Sequence, residues 1–270
     1  MSVISREISE QDFRAFVKFA HDLAGISLSE SKRHLLISRL IRRVRALQLP
    51  DIASYRSYLD KHLAEETGNF VNAITTNLTS FFRESYHFDY LQEWLAAHPA
   101  PHYQVWSAGC STGQEPYSIA MTFDRCNLLD RVSIQATDID TQVLDKAANG
   151  VYEESDIESF DHTDCQRWFQ RGTGANAGRV RVKEPLGRAI DFKALNLLER
   201  WPGEIRYDVI FCRNVFIYFD VDTQAELLRR FADRLKPEGV LFLGHSEGIR
   251  SVEGLYAQQG RTTYRLAEAG

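Results

Sequence analysis

The chain has no long apolar run, no paired cysteines and little net charge, and each absence removes a class of function. No stretch approaches the roughly 20 apolar residues needed to cross a bilayer. The first residues, MSVISREISEQDF, lack the apolar core of a signal peptide. Together these predict a cytoplasmic protein with no direct membrane insertion. Cys110, Cys126, Cys165 and Cys212 are scattered, with no C-x-x-C pair, so neither a disulfide framework nor a structural zinc is expected, and no metal. The net charge of −5 leaves no general basic surface, which argues against a nucleic-acid partner. What remains is a 270-residue chain, 44% hydrophobic, able to fold as one large domain or two ordinary ones.

Two texts alternate along it. Residues 1–86 carry only helical periodicity. Ser9 is a candidate N-cap before Phe13, Phe16, Val17, Ala20 and Leu23, with Gly25 as the stop. A second helix opens near Ser29 and shows the stripe Leu36, Ile37, Leu40, Ile41, Val44 and Leu47. A third follows Pro50 and Asp51, and a fourth runs through Phe70, Val71, Ile74 and Leu78. The segment 87–102, ending in HPAPH, is expected to be a linker. From 103 to 270, short apolar runs alternate with helices: VWSA, SIQATD, AIDF, YDVIFC and VLFLG read as strands buried on both faces. About 152–189 breaks the alternation. Its glycine-rich RGTGANAG and strand-like RVRVKE predict an inserted antiparallel β-subdomain.

The chemistry concentrates at YQVWSAGCSTGQEP (Tyr103–Pro116) and IQATDID (Ile134–Asp140). A strand, a turn bearing Gly109 and a helix start are followed by a second strand ending in Asp138. That pattern suits a nucleoside, whose ribose hydroxyls an acid can accept. The turn G-C-S-T-G lacks the G-x-G-x-x-G of dinucleotide folds, and Gln114 and Glu115 stand where a phosphate loop needs Lys and Ser or Thr. Glu115 would repel a polyphosphate and attract the cationic end of S-adenosylmethionine. Asn196 and Leu197 in ALNLL, and Arg213 and Asn214 after YDVIFC, belong to the same rim of the sheet.

TNLTSFFRE, AGCSTGQEPYSIAM, ATDID, RGTG, FCRNVFIYFD, LKPEG and GHSE, in that order, resemble the CheR family of chemotaxis-receptor protein-glutamate O-methyltransferases over nearly the whole chain. The resemblance implies an α/β, Rossmann-like class I S-adenosylmethionine-dependent methyltransferase sheet with the small β-subdomain inserted, preceded by an all-α domain. It implies transfer of a methyl group to glutamate side chains of bacterial chemoreceptors at receptor arrays, with S-adenosylhomocysteine as product. It maps cofactor contacts onto Asn77, Thr79, Arg83, Gly109, Glu115, Asp138, Asn196, Leu197, Arg213 and Asn214. A carboxylate acceptor needs no general base, so the chemistry asks for orientation. Arg83 is the first candidate for orienting it, and Tyr218 the second.

On the second helix Lys32, Arg39 and Arg43 share one strip with Arg42 beside them, a candidate docking face for an acidic receptor helix. In part of the family the β-subdomain binds the receptor's C-terminal tail peptide by strand addition. Here Arg171, Gly172, Gly174, Gly178, Arg179, Arg181 and Arg188 are the candidates. The alternative is a non-catalytic module that senses S-adenosylmethionine or S-adenosylhomocysteine.

Overall fold

The computed structural model describes residues 8–267. Four helices come first: α1 (Glu10–Ala24), α2 (Arg33–Ala46), α3 (Ile52–Lys61) and α4 (Leu63–Ile74). Ser9 caps α1, its hydroxyl accepting the Asp12 N–H at 3.0 Å, and Gly25 closes it in the left-handed conformation (φ 66°). Asp51 caps α3 through the Ser54 N–H at 2.7 Å. The apolar stripes meet in one core that includes Phe16, Leu40, Val44, Tyr55 and Phe70. The fourth helix ends at Ile74, earlier than its pattern suggests. Leu78 lies beyond it in an extended segment and is 78% exposed.

The expected linker is mostly helix. α5 (Tyr86–Ala97) buries Phe88, Leu91, Trp94 and Leu95 in the core of the sheet domain, and only the proline-bearing 98–102 is irregular. Then follow β1 (Tyr103–Ala108), α6 (Gln114–Arg125), β2 (Val132–Asp138), α7 (Thr141–Asn149), β3 (Val151–Glu153), α8 (His162–Trp168), β4 (Phe169–Arg171), β5 (Arg179–Val182), α9 (Glu184–Arg188), β6 (Ile190–Ala194), β7 (Tyr207–Cys212), α10 (Val221–Arg234), β8 (Leu235–Leu243), β9 (Tyr256–Gly260) and β10 (Thr263–Leu266).

Seven strands form one sheet in the order β6-β2-β1-β7-β8-β10-β9. The pairs from β6 to β8 are parallel, and β10 runs antiparallel to both its neighbours. β7 is buried along its whole length, as a strand covered on both faces must be. The strand order reverses between β1 and β7, so their C-terminal ends open a crevice there. The region 151–182 forms the separate sheet β3-β5-β4, the antiparallel insert expected from RVRVKE.

Aromatic rings fix that insert to the core. Phe81 meets Tyr152, Phe160 and Phe169 edge-on at 5.0–5.6 Å, and Phe82 packs on Phe88 and Phe160. The Arg125 guanidinium lies between the Phe82 and Trp168 rings, 4.9 and 4.8 Å from their centroids. The segment that precedes Arg83 is therefore held by the insert as well as by the sheet.

Candidate functional site

A cavity of about 950 Å³, measured out to its mouth, lies over the C-terminal ends of β1, β2, β6 and β7. Every predicted cofactor residue lines it: Asn77, Thr79, Arg83, Gly109, Glu115, Asp138, Asn196, Leu197, Arg213 and Asn214. Tyr218 lines it too. The helical domain supplies the opposite wall through Ala24, Ile26, Thr75 and Thr76, residues that no sequence motif marked.

The floor follows from local backbone geometry. Gly109 has φ 81°, and a Cβ there would overlap the Val215 side chain, so only glycine lets the two turns approach. Phe82, Glu84, Ser111 and Asn214 also hold positive φ, at 49°, 55°, 50° and 60°. Such conformations cost energy for non-glycine residues and persist where surrounding contacts over-determine them. Of these, Ser111 and Asn214 line the cavity.

Charge is organised around Arg213, which is almost fully buried. Its guanidinium lies between Glu84 Oε2 (3.3 Å) and Glu115 Oε2 (3.2 Å) and also donates to the Arg83 carbonyl. Glu115 accepts from Ser107 as well, at 2.7 Å. Burial pushes its carboxyl up from the ordinary range, while the Arg213 charge and the Ser107 hydroxyl pull the other way. For Glu84, burial is outweighed by the His245 hydrogen bond at 2.9 Å and by Arg213, which together hold it down at about 2. His87, beside Glu84, is pushed down to about 4 by burial and then by the Arg213 charge. Glu84 was not among the predicted site residues. It stands next to Arg83 in sequence, where a simple neighbour pair is the natural expectation. Instead it pairs with Arg213, and Arg83 makes no ion pair among the described residues.

Asp138 accepts the N–H groups of Ser111 (2.8 Å) and Asp140 (2.9 Å). Burial still pushes its carboxyl up to about 6, against these hydrogen bonds. Asp140 caps α7 and takes hydrogen bonds from Thr75 (3.0 Å) and Asn77 (2.9 Å), tying the segment after α4 to the sheet. The Asn77 amide is thereby committed to the protein. So is that of Asn196, which donates to the Leu23 carbonyl at 3.0 Å and accepts from Leu198 N–H at 3.1 Å. Its side chain builds the turn and joins it to α1.

Arg83 donates to the Leu78 carbonyl at 2.8 Å, and the Tyr218 hydroxyl lies 3.4 Å from the Thr76 carbonyl. The Tyr218 ring sits in a short turn after β7, not within a core strand. Lys32 of the helical domain lies over that ring, 5.6 Å from its centroid. Cys110 and Cys212 are free, and burial drives both thiols well above their ordinary range, as expected of small packing residues.

The docking strip needs correction in two of its four members. Arg43 binds the buried Glu66 through two hydrogen bonds, 2.8 and 2.9 Å, and Tyr55 donates to the same carboxylate at 2.9 Å. Arg39 donates to the Ile74 carbonyl and to Thr76 at 2.6 Å. A helical wheel places them beside the apolar stripe but cannot show that α4 covers that side. Arg42 is exposed and Lys32 half-buried. We expect Arg43→Met to lower stability by about 2 kcal/mol in urea titration, because Glu66 loses a charged hydrogen-bond partner. Arg42→Ala, by contrast, should leave the midpoint unchanged.

The seven β-subdomain candidates lie on or next to the loop joining β4 to β5, except Arg188 at the end of α9. Arg171, Arg179, Arg181 and Arg188 are all exposed. Arg179 and Arg188 face Glu153 (3.5 Å) and Glu184 (2.7 Å) on their own subdomain.

The residues fit S-adenosylmethionine on their chemistry. Glu84 and Glu115 share the one buried guanidinium of Arg213, and Asp138 has no basic partner among the described residues, a balance that favours a cation over a polyphosphate. The Ser111 hydroxyl is buried at the cavity wall with no hydrogen-bond partner, so a polar group is left for a ligand to satisfy. Counting only the strands of the large sheet, the order is 3-2-1-4-5-7-6 with the seventh antiparallel, the Rossmann-like arrangement of S-adenosylmethionine-dependent methyltransferases.

Comparison with known proteins gives the same class and narrows it. The model described as "CheR methyltransferase, SAM binding domain" matches residues 77–265, and "CheR methyltransferase, all-alpha domain" matches residues 11–75. The chemotaxis protein methyltransferases of Salmonella typhimurium and Escherichia coli are each 44% identical to this chain, covering 97% of it and 92% of their own length. Chemotaxis protein methyltransferase 2 of Pseudomonas aeruginosa is 45% identical, covering 96% and 94%. The chain belongs to the CheR methyltransferase family.

Proposed function

We propose that this protein transfers the methyl group of S-adenosylmethionine to glutamate side chains of bacterial chemoreceptors, forming γ-methyl esters. The observation that carries the reading is the single cavity in which the acids Glu115 and Asp138 meet Arg83, a cation with no acidic partner among the described residues. When bound, the cofactor supplies a methyl group on a sulfonium centre. The protein's own part is to hold and orient. Asp138 would accept the ribose hydroxyls, Glu115 and the turn at Gly109 would face the amino-acid end, and Leu197 would flank the base. A substrate glutamate is ionised at pH 7 and needs no base. Bringing it into a cavity rich in carboxylates requires a compensating donor, and Arg83 and Tyr218 stand on the same wall to provide it. Leu78, exposed at the cavity edge, and Arg42 on α2 would meet the receptor helix.

The β-subdomain offers the edge strands β3 and β4, and we propose that the receptor's tail peptide adds to one of them beside the exposed arginines. By the same reading residues 1–86 form the docking domain, 103–270 carry the chemistry, and the protein works in the cytoplasm at receptor arrays. The test is transfer of labelled methyl from S-adenosylmethionine to chemoreceptor cytoplasmic fragments with and without their tails. Base-labile label supports the activity, and loss on tail removal supports tethering. Cofactor binding with no label on any fragment favours the sensing module.

Asp138 makes the affinity pH-dependent. With its carboxyl at about 6, it loses its charge as pH falls below that value, and with it the stronger acceptor for a hydroxyl. Calorimetric affinity for S-adenosylhomocysteine should drop roughly tenfold between pH 7.5 and pH 5, the size of one charged hydrogen bond. Asp138→Asn should bind more weakly at pH 7.5 and lose that dependence.

A further inference from the structure

Glu247, in the segment GHSE after β8, serves none of the roles above. Its carboxylate is largely withdrawn from solvent, and its hydrogen bonds go to backbone. Oε2 accepts the N–H of Gly244 at 2.6 Å and that of Asn214 at 2.8 Å, and Oε1 accepts that of Ile217 at 3.4 Å. One side chain therefore joins the turn after β8 to the turn after β7. The turn after β7 carries Arg213, Asn214, Val215 and Tyr218, all of which line the cavity. Asn214 sits there at φ 60°, a conformation that needs outside support.

Two further contacts in the same segment serve the same end. A Cβ on Gly244 would lie 2.8 Å from the Asn214 nitrogen and 2.7 Å from Glu247 Oε2, so glycine is what lets the two turns meet. His245 Nδ1 donates to the Glu84 carboxylate at 2.9 Å, and Glu84 in turn holds Arg213. The segment thus supports the cavity wall at Asn214 and at Arg213 simultaneously. Backbone donors in such a turn have no strand partner, and a carboxylate is the side chain able to accept several of them at once.

We propose that Glu247 is a positioning residue for methyl transfer, capping the backbone of the 213–218 turn and fixing where Asn214 and Tyr218 stand against cofactor and substrate. The proposal rests on the methyltransferase reading for its kinetic test and on the cavity alone for its binding test. Glu247→Gln keeps one oxygen able to take the Asn214 and Gly244 N–H groups and gives up only the long bond to Ile217. Glu247→Ala removes all three acceptors. A shift of about 1 Å in a substrate-positioning element lowers rates by about 10²-fold.

Wild type is first assayed for transfer to receptor fragments, and then both variants for kcat, for KM and for calorimetric affinity toward S-adenosylhomocysteine. Glu247→Ala should lose about 10²-fold in kcat and about tenfold in affinity. Glu247→Gln should restore both to within a few-fold of wild type. That rescue is not expected of a carboxylate that serves only global stability through its charge. If the alanine variant does not fold, the glutamine variant decides alone, because near-normal kcat and affinity are required of it and a 10²-fold loss contradicts the cap. A folded alanine variant with wild-type kcat and affinity overturns the proposal. If wild type binds S-adenosylhomocysteine but methylates no fragment, the activity reading fails separately. The affinity ranking of the three proteins then supports the cap if alanine alone is weak, and contradicts it if all three are equal.

Discussion

Arg213→Met is expected to destabilise the protein by about 3–5 kcal/mol and to abolish cofactor binding. Breaking a buried ion pair by removing one partner leaves the other charge without compensation, which is the costly case. Here the loss is felt twice, because the guanidinium is shared by Glu84 and Glu115. It is felt a third time at the Arg83 carbonyl, whose hydrogen bond fixes the residue proposed to orient the substrate. Urea unfolding at pH 7.5 measures the cost. A second substitution, Glu115→Gln, should recover part of it by removing one stranded charge, and that non-additivity is the signature of the network. The acid limb adds an independent check. Glu84 has its carboxyl depressed to about 2 from an ordinary 4.5, so its stabilisation is complete above pH 4.5 and disappears as pH falls toward 2. In Arg213→Met that contribution to the acid dependence should shrink. A loss below 1 kcal/mol with an unchanged acid limb would mean that the three charges are not coupled.

Arg83→Ala should lower the rate of methyl transfer by about 10² to 10³-fold with a modest loss of stability. The stability cost is small because the side chain is half-buried and makes one hydrogen bond, to the Leu78 carbonyl. The rate cost is large because no other cation lining the cavity is free of acidic partners, Arg213 being engaged with Glu84 and Glu115. Arg83→Lys should rescue little, since an ammonium cannot present the planar fork to a carboxylate. Single-turnover transfer with saturating cofactor separates this from weakened cofactor binding. An Arg83→Ala enzyme within a few-fold of wild type would move the orienting role to Tyr218.

The sheet side of the cavity was legible in the sequence because its residues stand at strand ends. YDVIFC is an unbroken apolar run, so the residues after it, Arg213 and Asn214, had to emerge at the rim. The same holds for Asp138 after SIQAT and for Gly109 after VWSA. What stayed hidden were the groups that hold those residues. Glu84, Asp140 and Glu247 reach partners far away in sequence, a guanidinium, two polar side chains and the backbone of a turn, and local spacing carries no trace of them. Arg39 and Arg43 mimic a solvated face because the groups that engage them, Ile74, Thr76 and Glu66, lie on or just after a helix well further along the chain. The strands β9 and β10 escaped because β9 buries only Tyr256 and is otherwise polar, as an edge strand is. Asn196 stands at the rim as its place after β6 suggests, but its hydrogen bond to the Leu23 carbonyl of the helical domain left no mark in the sequence. Domain contacts of this kind cannot be read from periodicity.

The helical domain takes part in building the cavity. It contributes Ala24, Ile26 and the 75–80 segment to the cavity, and Asn77, Thr75 and Asn196 bond across to it or from it. Under the proposed function, cofactor binding and receptor docking would share a wall, where Lys32 lies over the Tyr218 ring.

The central claim is that a glutamate carboxylate accepts the methyl group. Peptide mass spectrometry of a chemoreceptor cytoplasmic fragment, incubated with enzyme and S-adenosylmethionine and then split into untreated and mild-alkali portions, tests it most directly. The account predicts one added methyl per modified site, localised to glutamate, formed far more slowly by Arg83→Ala and removed by alkali. Methyl groups on another residue type, or alkali-stable ones, would contradict it.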